Sequence, residues 1–431
     1  MNRQILSLAA LLCAVATTAP GAETPTSSVL IMHYGQSNAG ITPAGGSLIG
    51  GDQLSPGVPV FMPEDGKGTR GLMGKAPSAP MAALVPAVDD KSSFYVQSVV
   101  LPAGLTFIEL WQGEGAPAVL VRSEAKGGQP FLGEVGRDNS YGLHTKDGVK
   151  TQSYLNLVNS IKEMVALAQA DGMPVQVIYI PFTHQEADRG LPGEVYLAQM
   201  RAFMADVEAD LAPLNIPVVW LLDQAGGTTG GGSGGNWPNR LVLQQAADES
   251  DNIYLIGPRY PYPIFDNIHW TNQGKAMYGE LLGYAISQIY QGKAFEPARL
   301  ENAVLDGATI RLSFKSQNPL VFDESEFPIK ASVKGFTLNG VTNGAKIESA
   351  DISGPREVTV TLDKAPEGKD MTLRYAYRPR ERGIDEDIKE VPDWAISNGA
   401  LREDWSRPSR FVPGKNIYKW VPAFECSLGQ G

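Results

Sequence analysis

The chain has 431 residues, 43% hydrophobic and 19% charged, a balance that excludes a disordered polymer and allows a large core with room for two domains. The formal net charge of −11 argues against nucleic acid and anionic membrane as partners, because both require a basic surface. Two cysteines, Cys13 and Cys426, leave little scope for a thiolate metal centre or a cysteine nucleophile.

In chain order the first element is a targeting segment. Arg3 precedes ILSLAALLCAVA, apolar but too short to span a bilayer, and small residues follow up to Ala22. This pattern predicts a signal peptide over 1–22 and export to the periplasm or beyond. Its removal takes Cys13, so no intrachain disulfide is expected. No later stretch is long and apolar enough for a membrane span.

SVLIMHYG (28–35) then reads as a buried strand that stops at a polar cluster, Gly35-Gln36-Ser37-Asn38. Residues 39–93, rich in Gly and Pro, read as a long loop excursion, a lid or a substrate wall. FYVQSVVLP (94–102) and APAVLVRS (116–123) read as two more strands. TQSYLNLVNSIKEMVALAQADG is an amphipathic helix with Leu155, Val158, Ile161, Val165 and Ala168 on one face, ended by Asp171-Gly172. PVQVIYIPF is a strand. EVYLAQMRAFMADVEADL is a helix that presents Tyr196, Met200, Phe203, Val207 and Leu211. IPVVWLLDQ, NRLVLQQAADES and NIYLIG follow as strand, helix and strand. TNQGKAMYGELLGYAISQIYQG is the last helix, with Thr271 as its cap. Such alternation predicts an α/β domain over 23–294, built on a parallel sheet with helices on both faces. Ligands bind such sheets at the carboxyl ends of the strands. GGTTGGGSGG (226–235) lacks the Gly-Lys-Ser/Thr ending of a phosphate-binding loop.

From 295 to 431 the helical period disappears. Ile310, Leu312 and Phe314 alternate, as do Val358, Val360 and Leu362, and Leu373, Tyr375 and Tyr377. A small all-β sandwich is expected there.

The polar clusters that could carry chemistry all come directly after strands. Ser37 needs a base to become a nucleophile, and the chain has four histidines: His33, His144, His184 and His269. His269 lies just before the last helix with Asp266 three residues upstream, a spacing that lets a carboxylate orient an imidazole, although a turn aspartate before a surface histidine has the same spacing. His184 is followed by Glu186 and Asp188, but no second ligand cluster accompanies them, so no metal site is expected. Gly127-Gly128 follows the strand AVLVRS. Paired glycines let backbone N–H groups approach a ligand or an oxyanion, although plain turns use them too. His33, within the first strand, reads as a packed structural histidine, and His144 lies in a loop.

Taken in order, GQSN after the first strand, RSEAKGGQP, HQEAD and DNIH before the last helix resemble the motifs of the SGNH hydrolases. The likeness is nearest to the branch of sialate O-acetylesterases and carbohydrate acetylesterases, and it covers residues 28–290. It implies a flavodoxin-like three-layer fold and a serine esterase without a cofactor, acting on an acetylated carbohydrate. Ser37 maps to the nucleophile, His269 to the base and Asp266 to the orienting acid. Gly127, Gly128 and Gln185 map to the oxyanion hole. One block departs from the family, whose run is Gln-Gly-Glu followed by Ser or Ala. HQEAD lacks that glycine. Either Gln185 keeps the glutamine role across a deletion, which is preferred here because an amide can donate to an oxyanion, or a gapless register puts His184 there. Two alternatives stand beside this reading: a carbohydrate-binding or cell-surface protein on the same fold that has lost activity, and a lipase or general short-chain esterase. The glycan, the position of the acetyl group and the oligomeric state are not legible.

Overall fold

The computed structural model describes residues 25–40, 47–49, 54, 57–66, 76–77, 79–89, 97–112, 115–133, 141–226, 236–265, 268–327, 330–377 and 398–429. The proposed signal peptide, most of the glycine loop at 226–235 and much of 39–93 lie outside these residues.

Strand β1 (Ser28–Gly35) leads into a single helical turn, α1 (Ser37–Gly40). Two short strands follow, β2 (Val60–Pro63) and β3 (Leu84–Pro86). Then come helix α2 (Val100–Glu109), β4 (Ala118–Ala125), a hairpin of β5 (Thr145–Lys146) and β6 (Val149–Lys150), and α3 (Gln152–Ala170). The series continues with β7 (Val175–Thr183), α4 (Gly193–Leu211), β8 (Val218–Gln224), α5 (Trp237–Asp248), β9 (Ile253–Pro258) and α6 (Asn272–Tyr290).

Seven strands form one sheet in the order β3-β2-β4-β1-β7-β8-β9. All neighbours are parallel except β2 and β3. The five strands β1, β4, β7, β8 and β9 thus follow the flavodoxin-like order 2-1-3-4-5, whose switch point lies between β1 and β7. One face packs against α2 and α6 through Ile31, Val121, Leu221, Leu101 and Leu282. The other packs against α3, α4 and α5 through Leu30, Leu120, Ile178, Ile161, Phe203 and Leu243. A strand buried on both faces must be apolar throughout, which is why β1 reads as an unbroken hydrophobic run.

Three expectations are corrected. The described part of 94–102, residues 97–102, is not a strand. Val100, Leu101 and Pro102 open α2, where proline fits the first turn of a helix. The β-branched pair Val99-Val100 imitated a strand, but Leu101, Leu105 and Phe107 pack at helical spacing. The excursion at 39–93 contains β2 and β3, which extend the sheet beyond β4. On α3, Leu155 is 37% exposed. The buried face runs instead through Tyr154, Leu157, Val158, Ile161, Met164 and Ala168. Thr271 caps α6 as expected, its side chain accepting from the Gly274 N–H at 3.1 Å.

Beyond α6 the described chain is all-β apart from one short 3₁₀ turn. The strands are β10 (Arg299–Asp306), β11 (Thr309–Lys315), β12 (Leu320–Phe322), β13 (Phe336–Asn339), β14 (Ile347–Gly354), β15 (Glu357–Leu362), β16 (Thr372–Tyr375), β17 (Leu401–Pro408), β18 (Asn416–Trp420) and β19 (Phe424–Ser427). They form three small antiparallel sheets, β10-β11-β15-β14, β12-β17-β18 and β13-β16-β19. The alternation seen in sequence is real: Ile310, Leu312, Phe314, Val358, Val360 and Leu362 all face one core.

This β unit does not hang free. Gln224, at the end of β8, accepts from Ala423 N–H at 2.7 Å and donates to Ala423 O at 3.1 Å. Tyr260 donates to Val421 O at 2.9 Å. Phe411, Val412 and Ile417 join the core around α6. Among the described residues, no helix is long and apolar enough to cross a membrane.

Candidate active site

The carboxyl ends of β1, β4, β7, β8 and β9 lie along one edge of the sheet, and several of the polar residues singled out in the sequence gather there. Gly35 ends β1 with φ of +142°. A Cβ on it would sit 2.0 Å from Thr183 O, so only glycine lets β1 and β7 meet this closely. Gln36 N–H donates to Thr183 O at 3.0 Å. The chain then turns, and Ser37 opens α1.

Ser37 Oγ lies 2.8 Å from His269 Nε2. The two residues are 232 positions apart, so only the fold brings them together. His269 sits on the connection between β9 and α6. Phe265 donates its N–H to His269 O at 3.0 Å and stacks its ring against the imidazole with centroids 5.7 Å apart. Asp266, expected to orient that imidazole, lies outside the described residues. A serine hydroxyl at hydrogen-bond distance from an imidazole nitrogen is the geometry that lets the ring take the hydroxyl proton.

Gly127 and Gly128 form the turn after β4, and Lys126 N–H donates to Gly35 O at 3.1 Å. The glycine pair therefore stands at the same sheet edge as Ser37, as expected. Gln185 donates through Nε2 to Asp223 O at 2.6 Å, and its Oε1 accepts from Ala225 N–H at 2.9 Å. The amide fixes the end of β8 through one of its two N–H groups and its oxygen. Gln185 also has φ of +105°, a region favoured by glycine and costly for other residues. His184 is fully buried. It contacts Tyr196 OH at 3.1 Å and Gln129 O at 2.9 Å. Burial depresses its pKa.

Behind Ser37 runs a buried polar chain that the sequence reading missed. Gln36 Nε2 donates to Glu186 Oε2 at 2.5 Å, and Gln36 Oε1 accepts from Ala187 N–H at 3.0 Å. Glu186 pairs with Arg259 at 2.7 Å. Arg259 reaches Asp223 at 3.0 Å and donates to His184 O at 2.8 Å. Asp223 accepts from the Thr183 hydroxyl, and that hydroxyl lies 2.9 Å from His33 Nε2. One guanidinium thus ties the end of β8 to the segments that follow β7 and β9. The signal was available in the sequence: Asp223 and Arg259 also stand at strand ends, where ligand-facing residues concentrate.

His33 is a packed histidine, as expected from its place in β1. Burial, reinforced by Lys275 and Arg259, lowers its pKa to about 3. Asp223 moves the other way: burial outweighs Arg259 and raises its pKa to about 6. The signs fix a pH dependence. Between pH 3 and 6.5 the unfolded chain protonates His33 and the fold does not, so this contribution rises with pH and is lost on acidification. Between about pH 4 and 6 the fold keeps a proton on Asp223 that the unfolded chain has released, so that contribution falls as pH rises. Urea midpoints of wild type and His33→Gln at pH 4, 5, 6 and 7 separate the two terms. The wild-type advantage over His33→Gln is expected to grow towards neutral pH, by several kcal/mol in all. A constant difference would mean that His33 titrates normally in the fold.

His144 lies away from this edge, 2.9 Å from Asp206. Asp188 accepts from Phe131 N–H at 3.0 Å. Among the described residues, no group of three or more His, Cys, Asp or Glu side chains is arranged to hold a metal ion.

No protein-family model and no curated protein matches the chain. Solved structures do resemble it. A carbohydrate acetylesterase from Xanthomonas citri shares 16% identity and superposes with a TM-score of 0.57, over 92% of this chain and 80% of that one. NanS matches at 12% identity and TM-score 0.45, over 63% of this chain and 99% of its own. A protein from Arabidopsis thaliana matches at 14% and 0.37, over 61% and 98%. The likeness to the Xanthomonas citri enzyme is one of fold, and it extends through both the α/β and the all-β parts.

Proposed function

We infer that the protein is an exported serine esterase that removes O-acetyl groups from a carbohydrate. The observation that carries the reading is the 2.8 Å contact between Ser37 Oγ and His269 Nε2, at the switch point of a flavodoxin-like sheet. The sequence motifs and a fold shared with a carbohydrate acetylesterase support the choice of substrate.

In this reading His269 takes the Ser37 proton as Ser37 Oγ attacks the ester carbonyl. The tetrahedral oxyanion is held by the N–H groups of Ser37 and of the Gly127-Gly128 turn. Collapse expels the sugar alkoxide, which regains the proton from His269, and leaves an acetyl-serine. Water, deprotonated by His269, attacks that ester, and acetate departs as the proton returns to Ser37. Asp266 orients His269 and stabilises its imidazolium. No cofactor enters these steps.

The test is acetate release from a panel of O-acetylated glycans, set against hydrolysis of long-acyl esters. Release from the glycans with little long-chain activity supports the proposal. Preference for long acyl chains would make the protein a lipase, and no release from any ester would favour a binding role.

A further inference from the structure

Asn38 directly follows the nucleophile and is completely buried. Its carboxamide straddles His269. Nδ2 donates to Ile268 O at 2.8 Å, and Oδ1 accepts from Trp270 N–H at 3.1 Å. The two backbone groups flank the histidine on either side, so the amide holds the peptide that carries the imidazole at both ends.

Near its start the connection is tied to β8 by Arg259 N–H, which donates to Gln224 O at 2.8 Å, and several bonds further along tie it to itself. Ile264 bridges Trp270, Phe265 N–H meets His269 O, and Thr271 N–H meets Pro263 O at 2.9 Å. The Asn38 pair is different, because it ties the connection to the turn that bears Ser37. A carboxamide is well suited to this, since one backbone group needs a donor and the other an acceptor, and Asn supplies both at fixed spacing.

We propose that Asn38 is a positioning residue which sets the distance between base and nucleophile by clamping Ile268 and Trp270. The proposal rests on the reading of Ser37 and His269 as nucleophile and base. Rate follows this distance steeply, since a displacement of about 1 Å at a reacting pair costs on the order of a hundredfold.

The experiment compares full-length wild type, Ser37→Ala, Asn38→Ala and Asn38→Asp. Three readouts are used: p-nitrophenyl acetate kinetics, the rate at which a fluorophosphonate labels Ser37, and histidine ring NMR. The chain has only four histidines, so each signal can be assigned by single substitution. Asn38→Ala is expected to lower kcat about a hundredfold with KM within about twofold. Labelling should slow in parallel. The His269 ring signal should shift or broaden while those of His33, His144 and His184 stay in place. A variant that was merely less stable would keep the wild-type His269 signal below its unfolding transition. If Asn38→Ala does not fold, Asn38→Asp decides on the same readouts, because it keeps the shape and loses the donor to Ile268 O. An inactive Ser37→Ala beside an Asn38 variant with near wild-type kcat, or with an unmoved His269 signal, overturns the clamp alone. Full activity in Ser37→Ala overturns the reading of the site itself.

Discussion

Ser37→Ala is expected to lower kcat on an acetylated substrate by roughly a millionfold, the loss seen when a serine nucleophile is removed from a triad-type site. The substitution deletes one oxygen from a side chain that is 6% exposed, so the surrounding packing is retained. What disappears is the atom 2.8 Å from His269 Nε2. Stability should change by only about 1 kcal/mol, the net worth of one ordinary hydrogen bond. KM should stay near wild type, because the substitution removes only the hydroxyl. The glycine turn and the backbone of residue 37 should still give some rate over water. Purified wild type and variant, matched by unfolding midpoint and followed by acetate release, provide the measurement. Equal rates would mean that Ser37 is not the nucleophile.

The second large effect concerns stability. Arg259→Met should cost about 3–5 kcal/mol, the range for breaking a buried ion pair from one side. Arg259 is 2% exposed and serves Glu186, Asp223 and the carbonyl of His184 together. Methionine fills part of its volume but leaves two carboxylates buried without their cation. Asp223, whose pKa burial already raises to about 6 against the pull of Arg259, must then hold its proton more tightly still. The deficit is therefore greater at pH 7.5 than at pH 5, since stability falls with pH wherever the fold binds the extra proton. Glu186→Gln added to Arg259→Met should recover part of the loss, because an amide tolerates burial next to Gln36 better than an unpaired charge. Urea midpoints at the two pH values test both statements. A single variant as stable as wild type at pH 7.5 would show that Arg259 does not hold these carboxylates. Activity should fall as well, because Glu186 holds Gln36 beside Ser37.

The sequence marked out the α/β part well where periodicity was strong. Helix α4 buries the face read from its spacing, and β7, β8 and β9 lie where their apolar runs placed them. It misled at 97–102, because β-branched residues at the start of α2 look like a strand until their packing partners are known. It also misled at Leu155, where a regular spacing ran one step off the buried face. Gln185 shows the same limit at the site. A side-chain type compatible with oxyanion binding was visible, but its φ of +105° and its bonds to the end of β8 were not.

By itself the sequence determined which residue types stand at the strand ends, since a strand buried on both faces is apolar throughout and its polar successors stand out. Ser37 stood out on that basis, and His269 by its place just before the last helix. Only the tertiary structure decided how they are held. The contacts that fix them span 38 to 232 positions of chain and include Asn38 to Ile268 and Trp270, Gln36 to Glu186, and Gln185 to Asp223. No local pattern encodes such pairs. They arise because parallel strands bring distant segments to one sheet edge, where each buried polar group must find a partner.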